Sequence, residues 1–133
     1  MSVVLDASAM LALLRGEPGG DYVQELLDDA DVPIHAHSVN LLEVFYFVAR
    51  HSDVLQARQT LADLRAAGVV ERSDLDTAFL EDAATLKADW NCALGDCFGL
   101  ALARRIGADF ATADHHELDP VDTAGVCGFI FIR

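Results

Sequence analysis

The sequence predicts an α/β fold with a mainly parallel central sheet and helices on both of its faces. Two patterns carry this prediction. Short apolar runs of strand length alternate along the chain with longer segments of helical periodicity, which is how a parallel sheet with crossover helices reads. No repeat, low-complexity tract or Pro/Gly/Ser-rich linker interrupts the alternation. Length agrees: 133 residues suit one compact unit that buries its core without disulfides or a structural metal, so residues 1–133 are read as a single domain.

The elements follow in order. Val3-Val4-Leu5 is a buried strand, and Ala7 to Leu14 a helix stopped by Gly16, Pro18, Gly19 and Gly20. A second helix covers about Asp21 to Ala30, with Tyr22, Val23, Leu26 and Leu27 on one face. Pro33 to Ala36 reads as a short strand and Val39 to Arg50 as a helix. Val54 to Ala67 is amphipathic and closed by Gly68, with a strand at Val69 to Arg72. Helices are expected at Thr77 to Trp90 and Cys97 to Ile106, and strands at Asp109 to Thr112 and Phe129 to Ile132. In such a sheet, ligands bind beyond the carboxyl ends of the strands, so Asp6 and Asp114, each just after a strand, stand where a site is expected.

Composition narrows the function classes. Cys92, Cys97 and Cys127 are an odd number with no Cys-x-x-Cys pair, which excludes a secreted disulfide framework and a thiolate zinc site and implies a reducing compartment. No signal-peptide pattern and no run of the ~20 apolar residues a membrane span requires is present, so a cytoplasmic protein with no membrane association is expected. Hydrophobic residues make up 53% of the chain, a hint that a partner or second copy covers apolar surface. The net charge of −13 repels polyanions at long range and counts against a simple nucleic-acid coat. If RNA is the substrate, the field must be reversed locally, by divalent cations in a carboxylate cluster or by Arg15, Arg50, Arg104 and Arg105, which lie near the acidic motifs in sequence.

Those motifs are the most informative feature. Asp6, Glu43 and Asp96 interrupt apolar runs, Val3 to Leu11, Asn40 to Val48 and Ala93 to Ala101, where an ionised carboxylate is expensive unless paired, hydrogen-bonded, metal-bound or protonated. Cations to pair with them are scarce, Lys87 being the single lysine. A shared divalent cation resolves this. Simpler roles exist for each: Asp6 and Asp96 precede helices and suit N-caps, Glu43 can reach solvent past its neighbours, and Asp114 lies in a polar turn. His35 and His37, two apart on a strand, and His115-His116 lack the spacing of a zinc site and read as surface or turn histidines.

The segments Val4-Leu5-Asp6-Ala7-Ser8-Ala9, Asn40-Leu41-Leu42-Glu43-Val44, Leu94-Gly95-Asp96 and Thr112-Ala113-Asp114 resemble the four acidic motifs of PIN domains, in the same order and over essentially the whole chain. The resemblance implies a three-layer α/β/α sandwich with a mainly parallel sheet, an acidic pocket for Mg²⁺ or Mn²⁺, and hydrolytic cleavage of RNA. It also implies a homodimer and, in the branch formed by the toxins of VapBC toxin–antitoxin pairs, a neutralising antitoxin. Asp6, Glu43, Asp96 and Asp114 match the acidic positions; Ser8 and Thr112 match hydroxyl residues that accompany the first and last acids. Many members carry an aromatic after the last acid, where this chain has His115-His116-Glu117-Leu118, and this leaves Asp114 and Glu117 as alternatives for the peripheral ligand. Asp6 and Asp96 are expected as direct ligands, Glu43 as a ligand or proton acceptor, and Asp114 as a ligand to a second ion or through water. Two rivals remain: a PIN-like binding or scaffold protein without nuclease activity, and a housekeeping PIN ribonuclease without an antitoxin.

Overall fold

Strands β1 (Val3–Leu5), β2 (Ile34–His37), β3 (Val69–Arg72), β4 (Asp109–Thr112) and β5 (Phe129–Phe131) form one sheet in the order β3-β2-β1-β4-β5. Every neighbouring pair is parallel. This arrangement comes from a computed structural model that describes all residues, 1–133. Seven helices connect or follow the strands: α1 (Ala7–Arg15), α2 (Gly20–Asp28), α3 (Ser38–His51), α4 (Val54–Ala66), α5 (Thr77–Asp89), α6 (Leu94–Ile106) and α7 (Asp119–Thr123). No helix is long and apolar enough to cross a membrane.

Alternation along β1 sorts the core into two layers. Val3 and Leu5 face one side and pack with Met10, Val23, Leu41, Val44 and Leu64 of α1 to α4. Val4 faces the other and packs with Phe79, Leu86, Leu100 and Phe110, contributed by α5, α6 and β4. Both faces of the sheet are thus covered, the condition under which an all-parallel sheet is stable. Its central strand is completely apolar for the same reason: all three residues of β1 are buried.

Topology then determines where function can sit. The chain leaves β1 for β2 on one side, whereas β4 lies on the other side of β1, so the order reverses between β1 and β4. A crevice at the carboxyl ends of these two strands is the expected ligand position. Gly107, in the left-handed region at φ 66°, ends α6 and turns the chain directly into β4. Because α6 precedes a parallel strand, it runs back over the sheet with its N-terminal turn at the carboxyl end of β4, facing the crevice.

Three details differ from the sequence reading. Helix α6 begins at Leu94, with Ala93 as its N-cap, so Asp96 lies inside the first turn and does not cap it. Asp119 to Thr123, to which the sequence reading gave no element, form the short helix α7, with Pro120 accommodated in its first turn where no backbone donor is needed. His37 is no surface histidine: fully buried, it caps α3 by accepting from Val39 N at 3.0 Å through Nδ1, bonds the Asp74 carbonyl through Nε2 at 2.9 Å, and stacks on Phe79. The three cysteines are free, and the buried Cys92 and Cys97 sulfurs lie 3.4 Å apart.

Candidate metal centre

Asp6 leaves the end of β1 with its carboxylate pointing into the crevice. It caps α1, its Oδ1 accepting from Ala9 N at 2.8 Å, and it also accepts from two hydroxyls, Ser8 Oγ on Oδ1 at 2.7 Å and Thr112 Oγ1 on Oδ2 at 2.6 Å. Each hydroxyl accepts in turn from the backbone just after β4: Ala113 N donates to Ser8 Oγ at 2.9 Å and Asp114 N to Thr112 Oγ1 at 3.0 Å. The two hydroxyl residues therefore stitch the ends of β1 and β4 together and set the course of the segment carrying Asp114. Asp6 is only 1% exposed, and burial pushes its pKa up despite these donors, with Asp114 adding to the rise.

Glu43 reaches the same place from α3, one and a half turns beyond its start, and is half-buried. Its carboxylate lies against Gly95, where a β-carbon would overlap Oε1, so the glycine leaves the Glu43 carboxylate its place beside this turn of α6. Burial raises the pKa of Glu43, as does Asp6, while a bond from Asn40 Nδ2 at 3.2 Å opposes the rise.

Asp96, Asp114 and Glu117 converge most closely, with one carboxylate oxygen from each within 4.8 Å of the others. Sequence left Asp114 and Glu117 as alternatives; the fold brings both to Asp96. Glu117 is held by the Ala93 N–H, which donates to its Oε2 at 3.2 Å, and its own N–H points at Asp114 Oδ1 at 3.5 Å. Asp96 faces the charges of all four other carboxylates. Burial is the largest cause, followed by the charges of Asp6, Glu43, Asp114 and Glu117, and its pKa is pushed up to about 8. Its position in the first turn of α6, where the helix dipole favours an anion, does not offset that.

All five carboxylates lack a cationic partner. Every arginine ion pair in the molecule is made to another acid, Glu17, Glu71, Asp74, Asp76 or Asp82. Arg104 and Arg105, expected near the acidic motifs, sit eight and nine residues along α6 from Asp96, about 12 Å away along the axis, and bind Asp82 and Asp74/Asp76. Arg15 pairs with Glu17, and Arg50 lies over the Tyr46 ring. Hard oxygen donors, mutual repulsion and the lack of a protein cation together fit a divalent ion such as Mg²⁺ or Mn²⁺. Asp96, Asp114 and Glu117 form the closest donor set, with Asp6 and Glu43 beside it. In the sequence reading Asn40 and Gly95 stand within the acidic motifs without a role; both lie against the Glu43 carboxylate, and the spacing of three residues between Asn40 and Glu43 makes them neighbours on one helix face.

The fold agrees with comparisons to known proteins. Residues 3–122 match the family model of the PIN domain. No curated protein matches the chain by sequence. Among solved structures, a toxin–antitoxin complex from Klebsiella pneumoniae superimposes with a TM-score of 0.74 at 14% identity over 98% of both chains. VapBC2 from Rickettsia felis, bound to a DNA fragment from its promoter, gives the same values, 0.74, 14% and 98% of each chain. VapC20 from Mycobacterium tuberculosis, a toxin that cleaves the sarcin-ricin loop, gives 0.69 at 15% identity over 89% of this chain and 94% of its own. At such identities the likeness is one of fold, whereas the family model covers most of the sequence: the chain belongs to the PIN domain family.

Proposed function

We propose that the protein is a metal-dependent endoribonuclease and the toxin of a type II toxin–antitoxin pair. The observation that carries the reading is the convergence of five carboxylates, without a single arginine or lysine partner, at the switch point of the sheet. Retaining uncompensated charges in a half-buried crevice costs stability, and strongly perturbed carboxylates of this kind cluster at functional sites. Residues 1–133 act as one unit in this reading.

Asp96, Asp114 and Glu117 would hold Mg²⁺ or Mn²⁺, with Asp6 and Glu43 completing the acidic wall. A bound divalent ion would lower the pKa of a coordinated water and offset the charge developing on the scissile phosphate. The protein's own contributions are positional. Ser8 and Thr112 use their hydroxyl hydrogens to hold Asp6 in a single orientation, so that its carboxylate does not rotate when substrate arrives. Glu43, its pKa raised by burial, is suited to take a proton from an attacking water, since a base closer to neutrality serves better than an ordinary carboxylate. No serine, cysteine or histidine nucleophile is required.

RNA is the substrate in this reading, supported by the toxin neighbour that cleaves the sarcin-ricin loop, and a cognate antitoxin is the protein partner, supported by the toxin–antitoxin complexes of the same fold. A homodimer is also proposed: Leu42 and Tyr46 on α3 and Leu55 on α4 are exposed and give the apolar excess a place to be covered. The assigned compartment is the cytoplasm.

The test is cleavage of a panel of structured RNAs by the purified chain, freed of any co-purifying partner, in Mg²⁺ or Mn²⁺ with and without EDTA. Metal-dependent cleavage that disappears in Asp6→Asn and in Asp96→Asn, with both variants folded, is the expected result. Full activity in both variants would sink the site assignment, and no cleavage of any RNA would favour the rival of a PIN-like binding protein.

A further inference from the structure

We propose that Asn40 is a positioning residue of the acidic centre, holding the Glu43 carboxylate and the first turn of α6 in the arrangement that accepts a divalent cation. The inference rests on the reading of that centre as a cation site and assigns a role within it to a side chain that carries no charge.

Asn40 is fully buried, on the inner face of α3. Its Nδ2 has two hydrogens and spends both on acceptors from different elements, Glu43 Oε1 at 3.2 Å and the Gly95 carbonyl at 3.0 Å. One side chain thus bridges the carboxylate on α3 to the residue immediately before Asp96 on α6. The orientation of the amide follows from its surroundings: rotated by half a turn, Oδ1 would face a carboxylate and a carbonyl, neither of which can donate to it.

That orientation leaves Oδ1 buried with no hydrogen-bond partner. The oxygen rests against Gly99, where a β-carbon would stand 3.0 Å from it and 2.5 Å from Phe110 Cε1. Gly95 and Gly99, one turn apart on α6, therefore form the shallow groove into which Glu43 and Asn40, three apart on α3, insert. A buried amide with an orphaned acceptor is a poor choice for packing alone, since an apolar residue of the same shape would leave nothing unsatisfied. What Asn40 supplies that an apolar residue does not is a donor pair aimed at the acidic centre. Outer partners of this kind orient ligating carboxylates, and losing one typically weakens metal affinity by about 10–100-fold.

The role is tested by calorimetric titration of the full chain with MnCl₂, comparing wild type, Asn40→Ala, Glu43→Gln and the double variant, each checked for folding by thermal melting in EDTA. The expected result is that Asn40→Ala weakens Mn²⁺ binding about tenfold or more, and that adding it to Glu43→Gln weakens binding by much less, because its effect passes through Glu43. Wild-type affinity in a folded Asn40→Ala overturns the role of Asn40 and leaves the cation site standing. Full additivity in the double variant overturns the coupling to Glu43. Absence of Mn²⁺ binding by wild type overturns the cation site itself, and this inference with it. If Asn40→Ala does not fold, the side-chain amide of wild type is read by NMR: hydrogens protected from exchange with water, with resonances that move in Glu43→Gln, support the bridge, and free exchange contradicts it.

Discussion

Two clusters of carboxylates lie on this small fold, and the protein treats them in opposite ways. Beside β3, Asp74 and Asp76 receive Arg72 and Arg105: Arg72 bonds both oxygens of Asp74 at 2.9 Å, and Arg105 reaches Asp74 at 3.0 Å and Asp76 at 2.5 and 2.8 Å. These guanidinium groups hold both carboxyls below the usual carboxylate range. At the carboxyl ends of β1 and β4, Asp6, Glu43 and Asp96 are pushed the other way by burial and by neighbouring carboxylates of the crevice. With only 9 basic residues against 22 acidic ones, the chain places its arginines elsewhere and leaves the crevice uncompensated. The arginine-balanced cluster is structure; the unbalanced one, in the function proposed here, takes its compensating cation from solution.

The sharpest way to break the contrast is to neutralise one acid at each place. Asp96→Asn is expected to lower metal-dependent RNA cleavage by on the order of 10²–10³-fold, whereas Asp76→Asn leaves it at the wild-type level in the same assay. Equal losses would erase the distinction between the clusters. The next largest effect concerns the hydroxyl stitch. Thr112→Val leaves Asp6 Oδ2 and Asp114 N without their partner in a fully buried position, and urea unfolding should show a loss of about 1–3 kcal/mol.

Acidity separates the clusters by sign. Asp74 and Asp76 have depressed pKa values, so the stability they add is present above the ordinary value of 3.8 and is lost as pH falls below it. Asp96 has a raised one, so the folded state binds the extra proton between 3.8 and about 8, and stability declines as pH rises through that window. In EDTA, the melting temperature of wild type should therefore fall between pH 5 and pH 8 more steeply than that of Asp96→Asn, which should be the more stable protein at pH 8. Parallel curves would contradict the assignment of that slope to Asp96. Smallest of all, Arg105→Ala should lower the melting temperature slightly and leave Mn²⁺ binding unchanged, because its partners are exposed or lie outside the crevice.

Much of this is legible in the sequence alone. The strands and long helices announce themselves through apolar periodicity, and Asp6, Glu43 and Asp96 stand out because charge interrupts apolar runs. Other features were not legible for physical reasons. Gly95-Asp96 reads as a loop and cap because both residues disfavour helix interiors, yet α6 already starts at Leu94, with Gly95 lying against the Glu43 carboxylate. The gathering of Glu117 with Asp114 at Asp96 depends on a turn and on the Ala93 N–H, which no periodicity encodes. His37 reads in sequence as a surface or turn histidine, and only the stacking of its ring on Phe79 and its bond to Val39 N reveal it as a buried cap. Strand order, and with it the position of the crevice, is a long-range property that alternating patterns leave open.

The most direct test of the central claim is a calorimetric Mn²⁺ titration of wild type and Asp96→Asn at pH 7, run in two buffers of different ionisation enthalpy. The account predicts that Mn²⁺ binds wild type and is displaced by excess Mg²⁺. Binding should also release protons, because a cation displaces the proton that Asp96 holds with a pKa of about 8, and Asp96→Asn should lose affinity and release fewer. Absence of binding to wild type, or equal affinity in the variant, would contradict it.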